Sequence, residues 1–153
     1  MSKQSRQSST ADLERARQVG ARLYQDDHAT QTLGIRLLET TPGHCRVAMQ
    51  VRADMVNGHR ICHGGLIFTL ADSAFAFACN SYGHNTLAAA ASIDFLAPAR
   101  EGDELTASAS ELWRSKRSGL YQVEVTNQRG ERIALFHGRS HQVAGSILET
   151  RGP

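Results

Sequence analysis

A chain of 153 residues is the size of one ordinary domain, and with 41% hydrophobic and 21% charged residues its composition is that of a folded protein rather than a disordered one. A formal net charge of +2 is too small for the electrostatic footprint of a nucleic-acid binder, and no apolar run approaches the roughly 18 uncharged residues of a membrane span. No GxGxxG or GxxxxGKS/T pattern supports a phosphate-cradling loop, while a polar start and an odd set of cysteines, Cys45, Cys62 and Cys79, predict a cytoplasmic protein with reduced thiols.

Residues 1–8 are polar and predict a frayed start. Ser9-Thr10-Ala11-Asp12 has the spacing of a capping box and opens an amphipathic helix running to about Gln25, with Leu13, Ala16, Val19, Ala21 and Leu23 on its apolar side. Beyond Gly34 the period changes. Ile35 to Thr40 and Cys45 to Arg52 read as two strands around a Pro42-Gly43 turn, the second alternating Val47, Met49 and Val51 against Arg46, Ala48 and Gln50. A loop from Asp54 to His63 leads into Gly64 to Tyr82, apolar on nearly every helical face, so this helix must be surrounded by protein until Gly83 ends it. Four segments of strand character follow, Leu87 to Leu96, Glu104 to Arg114, Gly119 to Asn127 and Arg132 to Val143, with hairpin tips at Ser115–Ser118 and Gln128–Glu131. The expected class is therefore α+β, an antiparallel sheet curled around one buried helix, with a loosely held tail after Ala144.

Asp72 is the anomaly, a carboxylate in the middle of an otherwise apolar helix, where charge costs several kcal/mol unless bonds or chemistry compensate. The bland alternative is a side chain that turns to solvent or bonds to the hydroxyl of Thr69 or Ser73. Upstream, His63-Gly64-Gly65 places a glycine pair at the helix start, where unpaired N–H groups and the positive end of the dipole could polarise a carbonyl as an oxyanion hole. A carboxylate and an oxyanion hole together describe acyl transfer. Gly65 and Asp72 are separated by roughly 10 Å along one helix, so one helix cannot bring both to the same carbonyl. Two subunits with antiparallel helices could, which predicts a dimer with shared active sites.

Asn57-Gly58-His59-Arg60-Ile61-Cys62-His63-Gly64-Gly65, continuing through Leu70-Ala71-Asp72 and then Ser92-Ile93-Asp94-Phe95-Leu96-Ala97-Pro98, resembles the hotdog-fold acyl-CoA thioesterases, specifically their phenylacetic acid degradation group. Gly119-Leu120-Tyr121 to Asn127-Gln128 and Ala134 to His141 extend the resemblance, which spans roughly residues 33 to 143. It implies a hotdog fold, pairing into dimers and homotetramers, and hydrolysis of phenylacetyl-CoA or ring-hydroxylated phenylacetyl-CoA without a cofactor or metal. It also implies roles residue by residue. Asp72 matches the carboxylate that attacks or activates water, Gly64 the carbonyl-polarising N–H with Gly65 beside it, and Asn57 and His63 the polar positions that order the site. On this reading residues 1–30 are an N-terminal extension and helix, 31–145 the hotdog domain and 146–153 a flexible tail. One departure stands out. Some members offer a hydroxyl for the hydrolytic water on the strand after the helix, where Leu87 to Ala91 here is aliphatic and Ser92 is the nearest hydroxyl.

Arg114, Lys116 and Arg117 at a hairpin tip, with Arg139, are the candidate donors to the phosphates of CoA, the alternative being a solvated turn. A zinc site at His59, Cys62 and His63 lacks a fourth ligand, and a Cys62–His63 nucleophilic pair competes with Cys62 as a small apolar filler. Two other classes share the fold: a hydratase using His63 and Asp72 as an acid–base pair on an enoyl or 3-hydroxyacyl thioester, and a non-catalytic acyl-CoA sensor.

Overall fold

The computed structural model describes residues 7–149, so the outermost parts of the expected frayed start and flexible tail lie outside the described residues. The Ser9 hydroxyl accepts the Asp12 N–H at 3.1 Å while the Asp12 carboxylate accepts the Ser9 N–H at 3.3 Å, and this reciprocal cap starts α1, Thr10–Asp26. Ala16, Val19 and Gly20 are its buried side. Gly20 is required there, because a Cβ would stand 2.6 Å from the Thr40 Oγ1 of the sheet. A second helix that the pattern does not predict, α2 at His28–Thr32, follows at once. It begins because the Asp27 carboxylate accepts the Thr30 N–H at 3.0 Å.

The Pro42-Gly43 turn, with Gly43 at φ +75°, joins β1, Arg36–Thr41, to β2, His44–Gln50. The buried helix is α3, Gly64–Asn80, closed by Gly83 at φ +95°. After it come β3, His84–Phe95; β4, Glu104–Arg114; β5, Ser118–Thr126; and β6, Arg132–Ser146. The tail is held further than expected: Ser146 pairs with His84, and the Ile147 N–H donates to the Gly83 carbonyl at 2.9 Å.

All six strands form one antiparallel sheet in the order β1-β2-β4-β5-β6-β3. The expected hairpins are present, but β3 crosses over to pair with β6 and becomes an outer edge. The sheet's inner face, Val47 and Met49 of β2, Leu105 and Ala107 of β4, Tyr121, Val123 and Val125 of β5 and Phe136 of β6, closes on α3. Phe75 of α3 sits between Tyr121 and Phe136 with ring centroids 5.5 and 5.7 Å apart, each buried ring contributing about 2 kcal/mol by area. Gly138 lets the helix seat, since a Cβ at that position would meet the Phe75 ring at 2.9 Å. Among the described residues no helix is long and apolar enough to cross a membrane.

β3 is unusual for an edge. Leu87 to Ser92 are all exposed, Leu87 by 60%, and Phe95 by 54%. Twelve residues of strand thus present a small-residue, largely uncharged face and an unpaired backbone edge, which isolated monomers avoid.

Candidate active site

The start of α3 is built by His63, whose Nδ1 accepts the Gly65 N–H at 3.1 Å. Leu66 and Ile67 send their N–H groups to the His63 carbonyl at 3.0 and 3.3 Å. Gly64 alone of these first positions keeps an N–H with no acceptor among the described residues. The two glycines thus differ: the Gly65 N–H completes the cap, and the Gly64 N–H is left unpaired.

Gly64 opens onto a hollow of about 420 Å³ walled by Ile61, Ile67, Phe95, Leu96 and Pro98, apolar and wide enough for an aryl group. Phe95 lies over Gly64 so closely that an added Cβ would come within 2.9 Å of the ring. Asn57 stands at the rim. Its Oδ1 accepts the N–H groups of His59 at 2.9 Å and Ile61 at 3.4 Å, which holds a turn in which Arg60 takes φ +63°. Asn57 itself lines the hollow.

Two turns along α3, Asp72 is half-buried. Thr69 and Ser73 do not bond to it: Thr69 Oγ1 donates to the Gly65 carbonyl at 2.9 Å and Ser73 Oγ to the Thr69 carbonyl at 2.8 Å. Burial, and after it the negative charge of Asp27, pushes the Asp72 carboxyl above the usual carboxylate range, and no hydrogen bond offsets the rise. Such a carboxylate is a stronger base than a solvated one. Asp72 is absent from the lining of the hollow beside Gly64, and eight residues separate the two, or about 12 Å along the helix.

The four basic residues do not form one group. Arg114, Lys116 and Arg117 line a narrow cleft with Tyr82 and His84 near the far end of α3, where the Arg114 guanidinium lies 3.5 Å from the Tyr82 ring centroid. Arg139 instead borders a separate exposed hollow with Leu112, Leu120 and Ser92. Ser92, the nearest hydroxyl on β3, thus stands away from the Gly64 hollow. Cys62 beside the helix start has its thiol pushed up to about 11 by burial, which leaves it a filler rather than a nucleophile. Among the described residues no three His, Cys, Asp or Glu side chains gather as a metal site. Sequence reasoning did not single out Asp27, whose charge bears on Asp72; the spacing Asp27-His28-Ala29-Thr30, an acidic cap three residues before a hydroxyl, was the available signal.

This helix-in-sheet architecture with a glycine-led helix start defines a hotdog thioesterase, and the chain belongs to the thioesterase superfamily, whose family model matches residues 59–134. It is 46% identical over 125 residues to the acyl-coenzyme A thioesterase PaaI of Escherichia coli, an alignment covering 82% of this chain and 89% of that protein. The solved structure of the E. coli PaaI protein from the phenylacetic acid degradation operon superposes with a TM-score of 0.87 at 43% identity, covering 88% of this chain and 97% of that one. A mutant of the phenylacetic acid degradation protein PaaI from Thermus thermophilus gives 0.74 at 38% identity, covering 76% and 100%.

Proposed function

We propose that this chain is an acyl-CoA thioesterase that hydrolyses phenylacetyl-CoA, or ring-hydroxylated phenylacetyl-CoA, to the free acid and CoA in aromatic catabolism. The observation that carries the reading is the unpaired Gly64 N–H at the mouth of an aryl-sized apolar hollow, on a helix that also bears the unpaired carboxylate of Asp72. With the phenyl ring against Phe95 and Ile67, the thioester carbonyl accepts from Gly64 N–H, and the helix dipole stabilises the oxyanion that develops. Asp72 then either takes the proton from a water that attacks the carbonyl carbon, or attacks it directly to form a mixed anhydride that water hydrolyses to the free acid; in both routes the C–S bond breaks and CoA leaves as the thiolate.

The two groups meet only across subunits. The apolar, unpaired edge of β3 supports docking of a second copy, because pairing there satisfies its backbone and covers Leu87 and Phe95. Antiparallel α3 helices then set Asp72 of one subunit against Gly64 of the other. A pair of such dimers would make the homotetramer.

From Asp72 the cleft of Arg114, Lys116 and Arg117 lies about 15 Å further along the helix direction, at Tyr82, the scale of a pantetheine arm. Arg117→Glu is accordingly expected to raise KM for acyl-CoA more than it lowers kcat, because phosphate contacts far from the carbonyl supply uniform binding. Steady-state kinetics at low salt check it, and an unchanged KM would remove Arg117 from the site.

Thiol release across a panel of aryl and aliphatic acyl-CoAs tests the whole reading. The highest kcat/KM is expected for phenylacetyl-CoA or a ring-hydroxylated relative. Absence of thiol release together with water addition to an enoyl-CoA would make the chain a hydratase, and ligand binding without either would make it a sensor.

A further inference from the structure

The junction of α1 and α2 touches α3 beside its catalytic carboxylate through a buried pair of hydroxyls. Thr30, 2% exposed, donates to Asp27 Oδ2 at 2.6 Å, and its Oγ1 lies 3.2 Å from Ser73 Oγ, itself 7% exposed. Two hydroxyl hydrogens serve three contacts. The short bond to the carboxylate holds the Thr30 hydrogen, so the Ser73 hydrogen is shared between Thr30 Oγ1 and the Thr69 carbonyl. A hydrogen-bonded chain thus runs from Asp27 to the residue next to Asp72. Capping a five-residue helix needs only the Thr30 N–H contact at 3.0 Å. The additional hydroxyl bridge across 43 residues of sequence is unexplained by local structure.

We propose that Asp27 is a positioning residue for the reaction: the Thr30–Ser73 bridge holds its negative charge against α3 at Ser73, the residue next to Asp72, and so keeps Asp72 ready to accept a proton. This rests on Asp72 being the catalytic carboxylate. The charge of Asp27 is the second cause, after burial, that raises the Asp72 carboxyl. Other groups facing α3 do not compete with it. Cys45 of β2 and Cys79 of α3 have thiols pushed up to about 12 by burial, Tyr82 is likewise pushed up to about 12, and burial drives Tyr121 of β5 higher still. All four are neutral near neutral pH. Glu111 of β4 is engaged by the hydroxyls of Tyr82 at 2.7 Å and Tyr121 at 3.2 Å and lies 3.8 Å from Arg114. Asp94 of β3, Glu39 of β1 and Asp26 of α1 are exposed to solvent, and His137 of β6 bonds to Gln122 at 3.1 Å.

Carbon-detected NMR titration of the aspartate carboxyls tests this, with the Asp72 resonance assigned by its loss in Asp72→Asn. In Asp27→Asn, whose amide oxygen still caps α2, the Asp72 midpoint moves to lower pH, and the acid limb of kcat/KM for phenylacetyl-CoA moves with it. The plateau kcat falls several-fold because the base is weaker. Asp27→Glu, which keeps the charge, returns both midpoint and limb toward wild type, whereas a purely structural role would track helix capping instead. Thr30→Val, which keeps shape and charge but removes the bridge, shifts both in the same direction by less. An Asp72 midpoint in Asp27→Asn equal to that of wild type would overturn the inference. The midpoint needs no turnover, so this result is independent of whether the substrate assignment stands.

Discussion

Asp72→Asn is expected to reduce kcat by about 10²- to 10⁴-fold, some 3–5 kcal/mol of barrier, because a neutral amide can neither attack the thioester nor accept a proton. The same variant is expected to be more stable than wild type at neutral pH. Burial and the charge of Asp27 raise the Asp72 carboxyl in the folded chain, so between the unfolded and folded values the native state binds more protons than the unfolded state. Stability therefore falls as pH rises through that interval, and the penalty is complete above it. Asparagine carries no such penalty. Melting curves should place Asp72→Asn above wild type at neutral pH, with the difference shrinking as pH falls through that interval and gone once it is below the ordinary carboxylate range. Loss of turnover with a raised Tm separates chemistry from unfolding; near-normal turnover would remove Asp72 from the mechanism.

Gly64→Val is expected to cost about 10²- to 10³-fold in kcat, the usual consequence of losing one oxyanion-hole donor. A Cβ at this position would sit 2.9, 3.3 and 3.4 Å from three atoms of the Phe95 ring, and the two methyls beyond it would cover the free N–H and narrow the aryl hollow. Gly65→Ala should be far milder. Its nearest neighbour is His63 Nδ1 at 3.3 Å, and its N–H already serves the cap. Equal losses from the two substitutions would mean that helix distortion, rather than the missing donor, controls the rate.

The elements that the sequence disclosed are those whose signal is local. Ser9 and Asp12 mark the start of α1, Gly83 marks the end of α3, and the alternation of Tyr121, Val123 and Val125 marks the inward face of β5. Helix α2 escaped because five residues show no periodicity, and what creates it is a single carboxylate cap. The strand order escaped because the β2–β4 and β3–β6 pairings join segments separated by α3 and β3 or by two strands, and nothing in a strand's own residues names a distant neighbour. At the site, a carboxylate in an apolar helix and a glycine pair at its start were legible as chemistry. Which glycine keeps a free N–H was named only by the family resemblance, since from the residues alone it depends on the rotamer of His63. Arg139 is separated from the others because it lies within β6 opposite Leu120, whereas Lys116 and Arg117 occupy the turn after Arg114 ends β4.

Reassembly of mixed subunits tests the central claim, a thioesterase site built from Gly64 of one chain and Asp72 of another. When Asp72→Asn and Gly64→Val chains, each nearly inactive, are unfolded together and refolded, about half of the dimers are mixed, and each mixed dimer holds one intact site in two. Roughly a quarter of wild-type thiol release from phenylacetyl-CoA is therefore expected to return. No recovery from demonstrated mixed dimers would show that each site is built within a single subunit.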